Sequence, residues 1–148
     1  MTNRIRDSWM LAFLVVALAL FAAGCRMVGY PGGADALASF EWQLVELGGE
    51  PVELEEAEQA PYITFDAEKN QAEGYSGCNN FFGSYALEGS ALKFGTLGGT
   101  LMACPGHDDD LEMRFLAALR HTRAWRIKSG KLQLLASDVV VARFKRAP

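Results

Sequence analysis

"GYSGCNNFFGSY", residues 74–85, is the stretch on which the fold turns. One strand pattern runs into it through "QAEGYSG" (71–77) and another leaves it, so its middle must redirect the chain. Gly77 permits a tight turn or a close backbone approach as the first strand ends. Asn79 and Asn80 tolerate unusual dihedrals and suit a short turn. Of Phe81 and Phe82, at least one anchors that turn in an apolar interior, and Gly83 releases the chain into the next strand. Cys78 admits three readings: a nucleophile on a turn, a metal ligand, or half of a disulfide.

The other end of the chain bears on that choice. Arg4 and Arg6 precede an uncharged run, "SWMLAFLVVALALFAAG" (8–24), and then Cys25. The run is short for a membrane span, which needs about 20 apolar residues, and it ends in small residues as a secretory signal peptide does. "FAAGC" resembles a bacterial lipobox, with Ala22 where the usual leucine stands. Residues 1–24 are therefore expected to be a lipoprotein signal peptide, with Cys25 the acylated first residue of the mature chain. That chain carries 12 basic and 17 acidic residues once Arg4, Arg6 and Asp7 are gone, a formal charge of −5. It shows no basic stripe interleaved with aromatics, which argues against nucleic acid, and its net charge does not promote attraction to anionic lipid. With Cys25 assigned to lipid, Cys78 and Cys104 remain as an even pair in an oxidising compartment, where a disulfide is the default.

Residues 26–39, "RMVGYPGGADALAS", lack periodicity and read as a flexible tether, so that 25–39 forms the lipidated N-terminus and 40–148 the domain. From Phe40 the patterning is that of strands. "FEWQLVEL" places Phe40, Trp42 and Leu44 on one face, and "YITFD" (62–66) pairs with "QAEGYSG" around a turn at Glu68 to Asn70. Tyr85, Leu87, Leu92 and Phe94 flank Gly89-Ser90; Trp125, Ile127, Leu132 and Leu134 flank Ser129-Gly130. Both segments read as tight hairpins with one buried face. "HDDDLEMRFLAALRHT" (107–122) is a helix, acidic at its start and basic at its end, with Leu111, Phe115, Leu116, Ala118 and Leu119 on its apolar side. "VVVARFKR" closes the chain as a half-buried strand. The expected fold is α+β: a small antiparallel, barrel-like sheet of about seven or eight strands with one main helix.

Taken together, "GCNNFFGSY" and the later "TLMAC" resemble the META domain, or HslJ-like, family of small bacterial envelope proteins. The matching positions are Gly77, Cys78, Asn79, Phe82, Gly83 and Tyr85 in the first motif. In the second they are Thr100, Met102, Ala103 and Cys104. Trp42, Leu44 and Leu47 are similar to the family's opening strand, and Glu112, Phe115 and Leu119 to its helix. The resemblance implies a single barrel-like α+β domain, often in a lipoprotein. Members of the family have been linked to heat shock, to novobiocin tolerance and, by structural similarity, to secretion-associated lipoproteins. No established enzymatic activity comes with it.

The remaining chemistry is thin. A Cys nucleophile needs a base, and His107 and His121 are the only histidines. Cys78, Cys104 and His107 lack the paired short spacings of a zinc site, and Asp108 to Asp110 lack the pattern of a calcium loop. No metal or cofactor is expected. The sequence therefore predicts a non-catalytic envelope lipoprotein that serves interaction, envelope maintenance or stress tolerance. Arg26 is not the aspartate of an inner-membrane retention signal, so the expected location is the outer membrane, facing the periplasm. Its partners are the membrane, through lipid, and an unidentified envelope protein. Asn79, Asn80, Phe81 and His107 form the candidate interaction surface. A carrier of a small apolar ligand is the alternative, and a cysteine-dependent hydrolase comes third.

Overall fold

The computed structural model describes residues 33–54, 59–103 and 109–148. Cys25, Cys104, His107 and the predicted signal peptide lie outside them. The described elements are α1 (Gly33–Ala38), β1 (Trp42–Leu47), β2 (Glu50–Pro51), β3 (Tyr62–Asp66), β4 (Gln71–Tyr75), β5 (Asn80–Glu88) and β6 (Ala91–Gly99). They continue with α2 (Asp109–His121), β7 (Ala124–Lys128), β8 (Lys131–Ala136) and β9 (Val139–Arg146).

All the pairings are antiparallel, in the order β2-β1-β3-β4-β5-β6-β7-β8-β9, and β1 also pairs with β9. That last pairing turns the sheet into a ring. Trp42 lies opposite Arg146 and Leu44 opposite Phe144, so the first and last strands of the domain protect each other's edges. The weakest seam is between β6 and β7, which share one registered pair, Ala91 with Ala124. It is flanked by hydrogen bonds from Leu92 N to Arg123 O (3.1 Å) and from Trp125 N to Ser90 O (2.9 Å). The link between β6 and β7 passes through α2, which packs against β6, β8, β1 and β9.

Alternation explains which side chains fill the ring. Trp42, Ile63, Leu92, Leu132, Leu134 and Phe144 are fully or almost fully buried, as period-2 patterning requires of a sheet with one inner face. Phe115 of α2 enters this core and meets Phe81 edge-on at 5.7 Å and Phe144 at 6.0 Å. Emptying that position by Phe115→Ala would cost about 3–5 kcal/mol. A register shift between Leu44 and Glu46 breaks the simple alternation of β1. The bulge turns Leu47 inward, where it is buried, and leaves Glu46 facing out toward Arg143.

Three expectations need correction. The sheet has nine strands among the described residues, because the two-residue β2 adds to β1; the fold is largely β, with two short helices. Residues 33–38, expected to be tether, form α1. Its Leu37 is fully buried, and its carbonyl accepts the indole N–H of Trp42 at 2.9 Å. A buried tryptophan needs such an acceptor, and the helix supplies it. Finally, Asn79 and Phe81, expected on an interaction surface, are only 7% and 3% exposed.

Candidate functional site

The opening motif and α2 meet at one end of the ring. As β4 ends, Gly77 adopts φ +113°, a conformation that side-chain-bearing residues rarely take. The turn is closed on the carbonyl of Asn79, which accepts from Ser76 N at 2.8 Å and from Ser76 Oγ at 2.7 Å. Ser76 is wholly buried. Its single hydroxyl proton is shared, because Oγ also lies 2.6 Å from Glu112 Oε2.

Glu112 sits in the first half of α2 and gathers the turn. Its carboxylate accepts from Asn79 N at 2.9 Å and from Asn79 Nδ2 at 3.2 Å, besides the Ser76 hydroxyl. Burial alone pushes this carboxyl up. The Ser76 hydroxyl, the Asn79 amide and carboxamide and the Cys78 amide outweigh burial and hold it below its ordinary value of 4.5. A carboxylate with several donors is favoured in its charged form.

Asn79 carries the network across to the segment after β6. Its Oδ1 accepts from Thr100 Oγ1 and from Met102 N, both at 2.8 Å, and its Nδ2 reaches Met102 O at 3.3 Å. Asn80 and Thr100 add a reciprocal pair, Asn80 N to Thr100 Oγ1 at 3.2 Å and Thr100 N to Asn80 O at 3.0 Å. Close approach here depends on Gly99, where an added Cβ would fall 2.6 Å from Asn80 O. One asparagine thus cross-links a turn, a helix and the 100–102 segment. The chemistry is that of a lock: a buried hydroxyl and a charged carboxylate spend their hydrogen bonds on the backbone they hold.

Cys78 is buried and is a bridged cysteine. Its Sγ lies 3.5 Å from Met102 O, a contact rather than a hydrogen bond, since a bridged sulfur has no proton. Cys104 lies outside the described residues, as does His107. Among the expected surface residues Asn80 remains exposed. Its apolar companions are Phe82, in place of Phe81, and Leu101 and Met102 of the segment after β6. Leu101 is 99% exposed, and Phe82 and Met102 are 61% exposed each. Beside them lies a cavity of about 170 Å³ reaching from Ser76, Asn79 and Glu112 to Leu97, Thr100 and Leu101. Sequence reasoning passed over Ser76 and gave Glu112 no role. One signal for Glu112 was present: it shares a helical face with Phe115, Leu116 and Leu119, where an acid must find donors.

Among the described residues no three His, Cys, Asp or Glu side chains are grouped to hold a metal, and no helix is long and apolar enough to cross a membrane. The META domain family model matches residues 35–148. The chain belongs to the META domain family. The match begins within α1, in accord with Leu37 being part of the core. The NMR structure of a protein from Burkholderia xenovorans is similar at 28% identity, over 84% of this chain and 93% of that one, with a TM-score of 0.60. A second NMR structure, 24% identical over 76% of this chain and 93% of its own, shares the fold with the same TM-score. No curated protein matches the chain.

Proposed function

We propose that this META domain protein is a membrane-anchored envelope lipoprotein that acts without catalysis, as an interaction or envelope-maintenance module. One observation carries the reading. The backbone of 100–102 is pinned by Asn79, while the side chain of Leu101 stands in solvent and that of Met102 is more than half exposed. Apolar side chains that are exposed yet rigidly presented suit contact with a partner, since little ordering entropy is then lost on binding. Asn80 and Phe82 extend this surface, replacing Asn79 and Phe81.

The anchor is proposed at Cys25 and rests on the lipobox-like "FAAGC"; Arg26 favours the outer membrane facing the periplasm. Pairing of Cys78 with Cys104 is proposed on the bridged state of Cys78 and on its contact with Met102, two residues before Cys104. The carrier reading gains less support: the cavity beside Leu101 is below the roughly 300 Å³ at which small-molecule sites begin, and rings fill the space inside the sheet.

A photo-crosslinker at Leu101 in living cells tests the proposal. A discrete adduct is expected there, absent when the probe stands at the exposed Val139 and diminished in Cys25→Ser, which should also leave the detergent phase. The same pattern at both positions would contradict a specific surface.

A further inference from the structure

The net charge conceals how the fold sorts its charges. Residues 41–73 hold ten acids and one base, whereas residues 120–148 hold eight bases and one acid, Asp138. The strands β7, β8 and β9 are neighbours, so five of those bases, Arg126, Lys128, Lys131, Arg143 and Lys145, share one continuous outer face.

Register fixes the arrangement. Lys128 lies directly opposite Lys131, across the Ser129-Gly130 turn. Lys131 and Lys145 both flank the Leu132–Phe144 pair on its outward side, and Lys145 lies opposite Gln43. Three exposed lysines therefore stand in neighbouring cross-strand positions. Among the described residues none of them has a carboxylate within ion-pair distance. Like charges set opposite one another destabilise a sheet, so their placement has a cost that folding does not recover. A second row behind them runs Arg126, Gln133, Arg143. Arg126 Nε donates to Gln133 Oε1 at 2.7 Å. Arg143 Nη1 meets the row's single acid, Glu46, also at 2.7 Å.

The chain enters the fold next to β7, the strand that carries Arg126 and Lys128. Gly33, the first described residue, packs against the Trp125 ring of β7, an added Cβ there falling 3.4 Å from it. Trp125 directly precedes Arg126 but is buried, so its ring lies on the inner side of β7, opposite Arg126. Gly33 lies eight positions after Cys25, so an anchor at Cys25 could stand no more than about 29 Å from that point. We infer that the outer face of β7–β9 docks the domain onto an anionic phospholipid surface, with Lys128, Lys131 and Lys145 as its leading contacts. Charge complementarity names the occupant: an array of phosphates matches an array of lysines that have no carboxylate partner, and it draws on long-range attraction rather than on a shaped pocket. The face adds to the lipid anchor without depending on it, so it is tested on protein that has no acyl chain.

The experiment uses residues 26–148, which contain every described element. Co-sedimentation is measured with vesicles of phosphatidylcholine alone and with 30% phosphatidylglycerol. Binding is expected only to the anionic vesicles, and its loss is expected in high salt, where the screening length is about 3 Å at 1 M. Lys128→Gln/Lys131→Gln/Lys145→Gln should lower the partition coefficient about a hundredfold, at about fivefold per lysine, with an unchanged or raised Tm because like-charge pairs are relieved. Equal binding to both vesicle types, no binding to either, or an unaffected triple variant would overturn the proposal. So would displacement by millimolar inorganic phosphate, which would mark a free-anion site. Tighter, lysine-dependent binding to a 20-base-pair DNA duplex would overturn it in favour of nucleic acid.

Discussion

Glu112 keeps its charge in a place where burial by itself would favour the neutral acid. The hydrogen bonds from Ser76, Asn79 and Cys78 decide the outcome, and they hold the carboxyl below 4.5. A folded-state value below the unfolded one means stability that is fully present above pH 4.5 and is lost as pH falls through the depressed value. Glu112→Gln should therefore be less stable at neutral pH by about 1–3 kcal/mol, the effect of removing a hydrogen-bonded charge. The gap from the parent should shrink as the solution is acidified below 4.5. Urea denaturation at several pH values measures both, and a gap independent of pH would show that the carboxylate's charge contributes nothing. Asn79 shows where reading by residue type ran out. Asparagine in a turn suggests backbone tolerance, yet among the described residues neither Asn79 nor Asn80 has a positive φ. Asn79 is used for its carboxamide, which bonds partners 21 to 33 residues away. Gly77, whose role is local, was legible.

At the scale of elements, the hairpins were readable because both parts of their signal are local: period-2 burial and a Gly-containing turn. Ser129 and Gly130 take positive φ values of 53° and 74°, as a two-residue turn matched to strand twist requires. α1 and β2 were not readable, since six and two residues are too few to display a period. The bulges in β1 and β9 were equally hidden, because a register shift depends on the partner strand. The proposed Cys78–Cys104 bridge spans the β5–β6 hairpin, and its effect belongs to this scale. For a loop of about 27 residues, restricting the unfolded chain contributes roughly 3.5 kcal/mol. Replacing both cysteines by serine should lower stability by about that amount, and Cys104→Ser alone should make Cys78 reactive to thiol reagents in unfolded protein. If Cys78 stayed unreactive in that variant, its partner would be another cysteine.

For the whole molecule, net charge proved a poor guide, because one number averages an acidic N-terminal half with a basic C-terminal sheet. The ring joins them along the β1–β9 pair, where Glu46 meets Arg143, and it places the pinned 100–102 segment at the end capped by α2. The central claim is that this segment works by contact while the network beneath it maintains the fold. Leu101→Glu/Met102→Glu separates the two roles, since both side chains are largely in solvent and surface changes of this kind usually alter stability by less than about 0.5 kcal/mol. The decisive measurement compares the thermal midpoint of that variant with the envelope-stress tolerance of cells that carry it as their only copy. The predicted result is an unchanged midpoint with tolerance lost. Full tolerance at an unchanged midpoint, or a loss of tolerance only in proportion to a fall in the midpoint, would contradict the claim.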